Sequence, residues 1–293
     1  MEKKMIQGTH YTNVQEDVNL QYTQHDAKSS IKEFALVEER SLWTRGTQAP
    51  KHKAIVNSET GDVISVVGIN YKPIQTSEAV AKYQEALFAS KLDTRGMMRK
   101  VSSSHDGARQ IITYTFPAHE MEVAEGDPMY LQTTLLNSYD GTWSLGSLLG
   151  ALRLACSNGQ VVHDSFSAFF GKHTKGLDVN DVIRRLETSL DVYMEHVELW
   201  KQYPRTKVSV VDAEKVLLAL AKDNKKTMKI LTETHAKYVL QMGNNLWALF
   251  NTLTDWSSHT KVRKESNKPS IIINREQKVR QVLPLLESLR LAA

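Results

Sequence analysis

The feature that most constrains this chain is a change in the spacing of its apolar residues near position 176. Upstream, runs such as VISVVG (63–68), RQIITYTF (109–116) and MYLQTTLLN (129–137) are rich in β-branched and aromatic residues and bounded by glycine and proline. Such runs suit pleated strands between turns. Downstream, Val179, Val182, Ile183, Leu186, Leu190, Tyr193, Val197 and Trp200 trace one face of a long helix. The expected class is α+β: an antiparallel hairpin and meander sheet with packed helices, followed by a helical C-terminal half. The expected organisation is a flexible N-terminal arm over 1–32, an α+β core domain over 33–175 and a helical region over 176–293. No flexible linker marks the change of period, so the two parts are expected to pack together.

Local signals add detail. The strands around 54–57 and 63–68 flank SETGD, a hairpin with glycine turn chemistry. Pro73 ends extended structure, and Thr76 or Ser77 is placed to cap a helix carrying Ala79, Val80, Tyr83, Leu87 and Phe88. YDG at 139–141 is a further turn, and the apolar stretch 148–155 fits strand or helix. Asp178 caps the long helix and Pro204 marks its end; helical segments are expected at 216–222, 228–242, 246–259 and 276–291, the last kinked at Pro284.

Composition excludes several classes. A 41% hydrophobic and 24% charged chain of 293 residues is neither disordered throughout nor collagen-like. No window approaches a membrane span, and the polar N-terminus lacks a signal-peptide core. With the lone Cys156 unable to form an internal disulfide, an intracellular, reducing compartment such as the cytoplasm is the expectation. The net charge of +4 is unevenly spread: residues 1–150 carry 15 Lys/Arg against 18 Asp/Glu, residues 151–293 carry 22 against 15. The densest basic run is 261–280, where Lys261, Arg263, Lys264, Lys268, Arg275, Lys278 and Arg280 face Glu265 and Glu276.

Missing motifs argue against nucleotide-driven or metal chemistry. FGKHTKG at 170–176 lacks the upstream glycine of a phosphate-binding loop, no dinucleotide-binding glycine pattern follows a strand, and no paired cysteines offer a zinc site. No catalytic residue, cofactor or metal is assigned. Weaker constellations read more simply as structure: Glu276-Gln277-Lys278 after the apolar Ile271–Ile273, which superficially resembles a nuclease strand; His119, Glu120 and Glu122, read as a solvated acidic loop; and Cys156 with His163. Asn251, Thr254, Asp255 and His259 share one helix face, read as a polar face opposite Leu246, Leu249, Phe250 and Leu253. Cations interleaved with an aromatic point elsewhere. Lys51, Lys53, Tyr71 and Lys72 flank the first hairpin, and Arg95, Arg99, Lys100 and Arg109 surround the small-residue stretch SSSHDG. Flexible cations hold phosphates and an aromatic face stacks bases.

Three stretches carry a family resemblance: HKAIVNSETGDVISVVGINYKPIQTSEAV (52–80), YLQTTLLNSYDGTWSLGSLLGALRLACSNGQVV (130–162) and NNLWALFNTLTDWSSH (244–259). In order and spacing they resemble a phage- and plasmid-borne family catalogued as a domain of unknown function (number 932); Arg153, Cys156, Asn158 and Gly159 match its arginine and C-x-N-G pattern. The hairpin, helix, meander and helix order is also similar to ATP-independent single-strand annealing proteins of the phage Redβ and Erf type, a fold analogy. What these resemblances imply is a phage-encoded, homo-oligomeric, non-enzymatic protein that binds and anneals single-stranded DNA in recombination or replication. Phosphates would meet Lys51, Lys53, Lys72, Arg95, Arg99, Lys100, Arg109 and Arg153 in one basic groove, with Tyr71 as stacking face. The alternatives are a counter-defence or host-takeover factor that binds a host protein, and a metal-dependent nuclease. Expected partners are single-stranded DNA, further copies of the chain and a host or phage replication protein, with no membrane.

Overall fold

The computed structural model describes residues 12–13, 34–124, 127–153, 158–161, 179–259 and 263–292. Cys156, His163, Asp178, Lys261 and the 170–176 segment lie outside these residues, as does the expected N-terminal arm apart from Thr12–Asn13. The fold is α+β, with two antiparallel sheets and six α-helices among the described residues. A three-stranded sheet is ordered β2 (Val37–Thr44), β3 (Thr47–Asn57), β4 (Val63–Gly68). A six-stranded sheet is ordered β1 (Thr12–Asn13), β5 (Met98–Ser104), β6 (Arg109–Glu122), β7 (Pro128–Ser138), β8 (Gly146–Arg153), β9 (Asn158–Val161). The turn from β3 to β4 forms as its residues dictate: Asn57 Oδ1 accepts from the backbone N–H of Glu59 and Thr60, and Gly61 takes φ +76°. Within the segment 148–155, the described residues 148–153 are strand, because β7 pairs them along Leu131↔Ala151 and Thr133↔Leu149.

Helix α1 (Thr76–Ala89) packs Val80, Tyr83 and Leu87 on the face of the large sheet that carries Ile112, Tyr114, Phe116, Leu131, Leu135 and Leu149. Its cap departs from expectation. Gln75 is the N-cap residue, and no side chain caps it. Thr76 is instead the first helical residue, with Oγ1 bonded to Tyr139 Oη (2.7 Å) and Asn137 Nδ2 (3.0 Å). A tertiary bond has taken the hydroxyl that capping would use. Gln75 in turn ties α1 to β2, accepting from Val37 N–H and donating to Val37 C=O.

The second half continues the same core. Helices α2 (Val179–Trp200), α3 (Val210–Ala221), α4 (Lys225–Met242), α5 (Leu246–Ser258) and α6 (Lys268–Ala292) share one apolar cluster with the large sheet and α1. The boundary near 176 therefore does not divide the core. Tyr193 of α2 donates through its hydroxyl to the carbonyls of His119 and Met129, fixing the helix over β6 and β7. Ser209, Asn224 and Asn245 cap α3, α4 and α5 by accepting from the N–H three residues on.

Helix α5 turns much of its expected polar face inward. Every residue from Leu246 to Thr254 is buried. Asn251 donates to Trp247 C=O and Thr254 to Phe250 C=O, so their polarity is satisfied within the helix, while Asp255 accepts from Tyr238 Oη. Helix α6 starts earlier than expected and continues through Pro284. The Ile271–Ile273 run is thus helical, with Ile273 seated on Ile111, Leu136, Trp143 and Leu148 of the opposite sheet face.

Candidate nucleic-acid interface

The nine residues expected to bind nucleic acid fall in several environments. Four of the cations are matched to carboxylates. Lys53 is buried, with Nζ 2.6 Å from Glu39 Oε2. Arg95 wraps Asp93 two residues back, at 3.0 and 2.9 Å from Nε and 2.5 Å from one terminal nitrogen. Those hydrogen bonds hold the Asp93 carboxyl down to about 2. Arg109 reaches Asp140 at 2.7 Å and Thr142 Oγ1 at 2.9 Å, with its guanidinium beside Trp143.

Arg153 is the most committed. It donates to both oxygens of Asp127 at 2.6 and 2.7 Å, and Trp247 Nε1 donates to the same carboxylate at 3.0 Å. The guanidinium also lies 5.5 Å from the Trp247 ring centre, so the end of β8 is clamped to the start of α5. A cation buried and paired in this way has no face left for a phosphate.

The aromatic expectation shifts as well. Tyr71 is half-buried against the small-sheet core of Val37, Ile55, Val67 and Tyr139, and its hydroxyl donates to Ser138 C=O at 2.5 Å. Burial, then the nearby Asp140, pushes its phenol well above the ordinary range. Lys51 and Lys72 remain exposed. Arg99 and Lys100 are consecutive on β5 and therefore point to opposite sheet faces. One groove containing all nine residues does not form. Tyr71 and Arg109 do share a neighbour, the Ser138–Thr142 turn at the sheet's end.

A different grouping forms on the sheet face that carries α6. Lys100 stands in a cross-strand row with Thr113, Thr134 and Leu148, beside a second row of Met98, Thr115, Gln132 and Gly150. Thr113 and Thr134 hydroxyls lie 3.2 Å apart, and Gln132 Nε2 donates to Thr115 Oγ1 at 3.0 Å. Ile273 of α6 covers the row at its apolar end, Leu148. Burial pushes the Lys100 ammonium down, and the positive charge of Lys268 at the start of α6 pushes it further. No acid occupies the first turn of α6. Lys100 thus stands on a half-buried, hydroxyl-bearing face in electrostatic reach of Lys268, which opens a helix N-terminus, where anions are favoured.

The remaining basic run separates by face. Arg263, Lys264 and Lys278 are exposed, Lys264 lying 3.3 Å from Asp106. Arg275 stacks on Trp256 at 4.5 Å and donates to its carbonyl, and Arg280 turns in towards Leu149 C=O. Glu276-Gln277-Lys278, which resembles a nuclease strand in sequence, is helical. His119 Nε2 accepts from Asp93 N–H at 2.8 Å, and Glu120 and Glu122 lie on β6 rather than in a loop.

Glu276 gives a pH signature. Burial raises its carboxyl to about 7, opposed by Arg280 one turn on. The folded chain therefore holds a proton that the unfolded chain releases near its ordinary value of about 4.3. The stability tied to this proton is full below about pH 4.3 and is lost as pH rises through about 7. Glu276→Gln is expected to stabilise the protein at pH 8 by on the order of 1 kcal/mol or more, and to flatten the decline between about pH 5 and 8 in urea unfolding.

Taken together, these features define an α+β protein in which a six-stranded antiparallel sheet is clasped by helices on both faces, with a polar, lysine-bearing strip left beside α6. The chain belongs to the family described as "Domain of unknown function (DUF932)", whose sequence model matches residues 63–281. No curated protein and no solved structure matches it. No helix among the described residues is long and apolar enough to cross a membrane.

Proposed function

We propose that this chain is an ATP-independent single-stranded DNA-binding protein of the annealing type, phage-encoded and acting as a homo-oligomer in recombination or replication. The observation that supports the reading best is Lys100 in one cross-strand row with the Thr113 and Thr134 hydroxyls on a half-buried sheet face, with the positive charge of Lys268 in electrostatic reach. A phosphate on this face would meet positive charge from both lysines, while the Thr113 and Thr134 hydroxyls and Gln132 offer further hydrogen bonds. Such a strip holds a backbone without reading bases, as annealing requires. Exposed Lys51 and Lys72 extend the positive surface, whereas Lys53, Arg95, Arg109 and Arg153 contribute through structure.

The test is fluorescence anisotropy of a labelled oligo(dT), titrated between about 50 and 200 mM salt without nucleotide or metal. Affinity is expected to fall steeply along a straight log–log line. No binding at the lowest salt, or binding indifferent to salt, would overturn the proposal.

A second reading, capture of a host protein, has its own observation. Val210 and Val211 at the start of α3 are 75% and 62% exposed, and Leu240 near the end of α4 is 88% exposed. These ends are drawn together, since Val208 N–H donates to Asn244 C=O and Lys207 bridges Asn245. An apolar patch of this kind suits protein contact. This reading predicts no oligonucleotide binding in the same titration.

A further inference from the structure

The geometry points to the β2–β3 hairpin as a nucleic-acid finger, with Trp43 as its base-stacking face and Arg45 and Lys51 as its phosphate contacts. The inference rests on the nucleic-acid reading above and assigns it a second contact that the Lys100 strip does not include.

The hairpin outruns its sheet. The last β3–β4 pair is His52↔Gly68, with Lys51 C=O still accepting from Ile69 N–H, so residues 42–50 extend past β4 and their strand pairs are Trp43↔Gln48 and Thr44↔Thr47. None of these residues is buried; only Leu42 and Ala49 are even half-buried. A two-stranded hairpin without a core is marginal in water, so this projection adds little to folding.

Its chemistry indicates a role outside folding. Of the five tryptophans, Trp43 is 61% exposed, while Trp143, Trp200, Trp247 and Trp256 are all within 6% of full burial. The stretch SLWTRGTQAPKH (41–52) has no acid and carries Arg45, Lys51 and His52. The acids of β2, Glu38 and Glu39, lie at the base, where they hold Arg40 and Lys53. The projecting part is thus uniformly cationic, complementary to a polyanion. An exposed indole beside cations is also the combination that holds unpaired bases without sequence preference.

The tip is built against local preference. The two-residue loop Arg45-Gly46 has φ of +49° and +81°, the positive pair that a type I′ turn requires. Asparagine or glycine suits the first position, whereas an arginine there is strained. A residue that breaks a local rule at an exposed tip is placed for its guanidinium rather than for the turn.

That strain supplies a clean variant. Arg45→Asn improves the turn while removing the charge, so weaker binding cannot be ascribed to a damaged hairpin. Trp43→Ala removes the stacking face. In the oligo(dT) anisotropy assay, Trp43→Ala is expected to weaken binding by about 5- to 100-fold, as for loss of one stacked base. Arg45→Asn should weaken it by about 5-fold at 100 mM salt with an equal or higher midpoint of thermal unfolding. Acrylamide should quench the exposed indole of the free native chain, and saturating oligo(dT) should protect it. If native protein binds oligo(dT) but Trp43 stays quenchable and both variants bind normally, the finger is overturned and the broader reading stands. If native protein does not bind at all, both fail. Protection that develops with protein concentration alone would assign the hairpin to contacts between copies and overturn the inference.

Discussion

Asp127→Ala is expected to destabilise the protein by about 3–5 kcal/mol, the largest loss from any single charge removal in the fold. Arg153 and Asp127 have side chains only 6% and 10% exposed. Deleting the carboxylate strands the guanidinium beside Trp247 and removes the acceptor of its indole N–H. The cost arises chiefly from that orphaned charge. The paired replacement Asp127→Leu with Arg153→Met should therefore lose far less than Asp127→Ala, since apolar substitutes for a buried pair are often neutral. Urea unfolding of both variants checks this. Because the clamp joins β8 to α5, the transition should remain single and cooperative; separate loss of the sheet and the helical half would show that the shared core does not couple them.

Reversing the charge of Lys100 and Lys268 together is expected to weaken oligo(dT) binding by about 20-fold or more near 100 mM salt and to lower the log–log salt slope by about 1.4, as for two single-strand phosphate contacts. Neither residue is fully buried, so the fold should tolerate the pair of substitutions. Lys100→Glu alone should remove one of these two contacts and lower the slope by about half as much.

Much of the fold was legible where local pattern and tertiary demand agree. The β3–β4 hairpin, β6, β7 and the long helix α2 all follow their periodicity. Strand β5 was not legible. MRKVSSS carries few β-formers and is extended because β6 pairs it from Met98↔Thr115 to Ser104↔Arg109. The start of α6 was masked by three consecutive isoleucines, which favour strands, although Pro269 in the first turn is a helix-start signal. The site was less legible than the fold. Asp93 and Arg95 are two residues apart and could be matched by inspection. Glu39 with Lys53, Asp140 with Arg109 and Asp127 with Arg153 meet only once strand register and packing are set. Lys100 and Lys268 are farther apart in the chain still, and sequence spacing gives no hint that they come within electrostatic reach.

The most direct test of the central claim is amide hydrogen exchange with and without saturating oligo(dT), read at β5 and the first turn of α6. Slower exchange is predicted across Met98–Ser104 and at 268–272 in the native chain, and no slowing there in the Lys100→Glu, Lys268→Glu variant. Bound oligonucleotide that leaves both segments exchanging as in the free protein would contradict the assignment of this face.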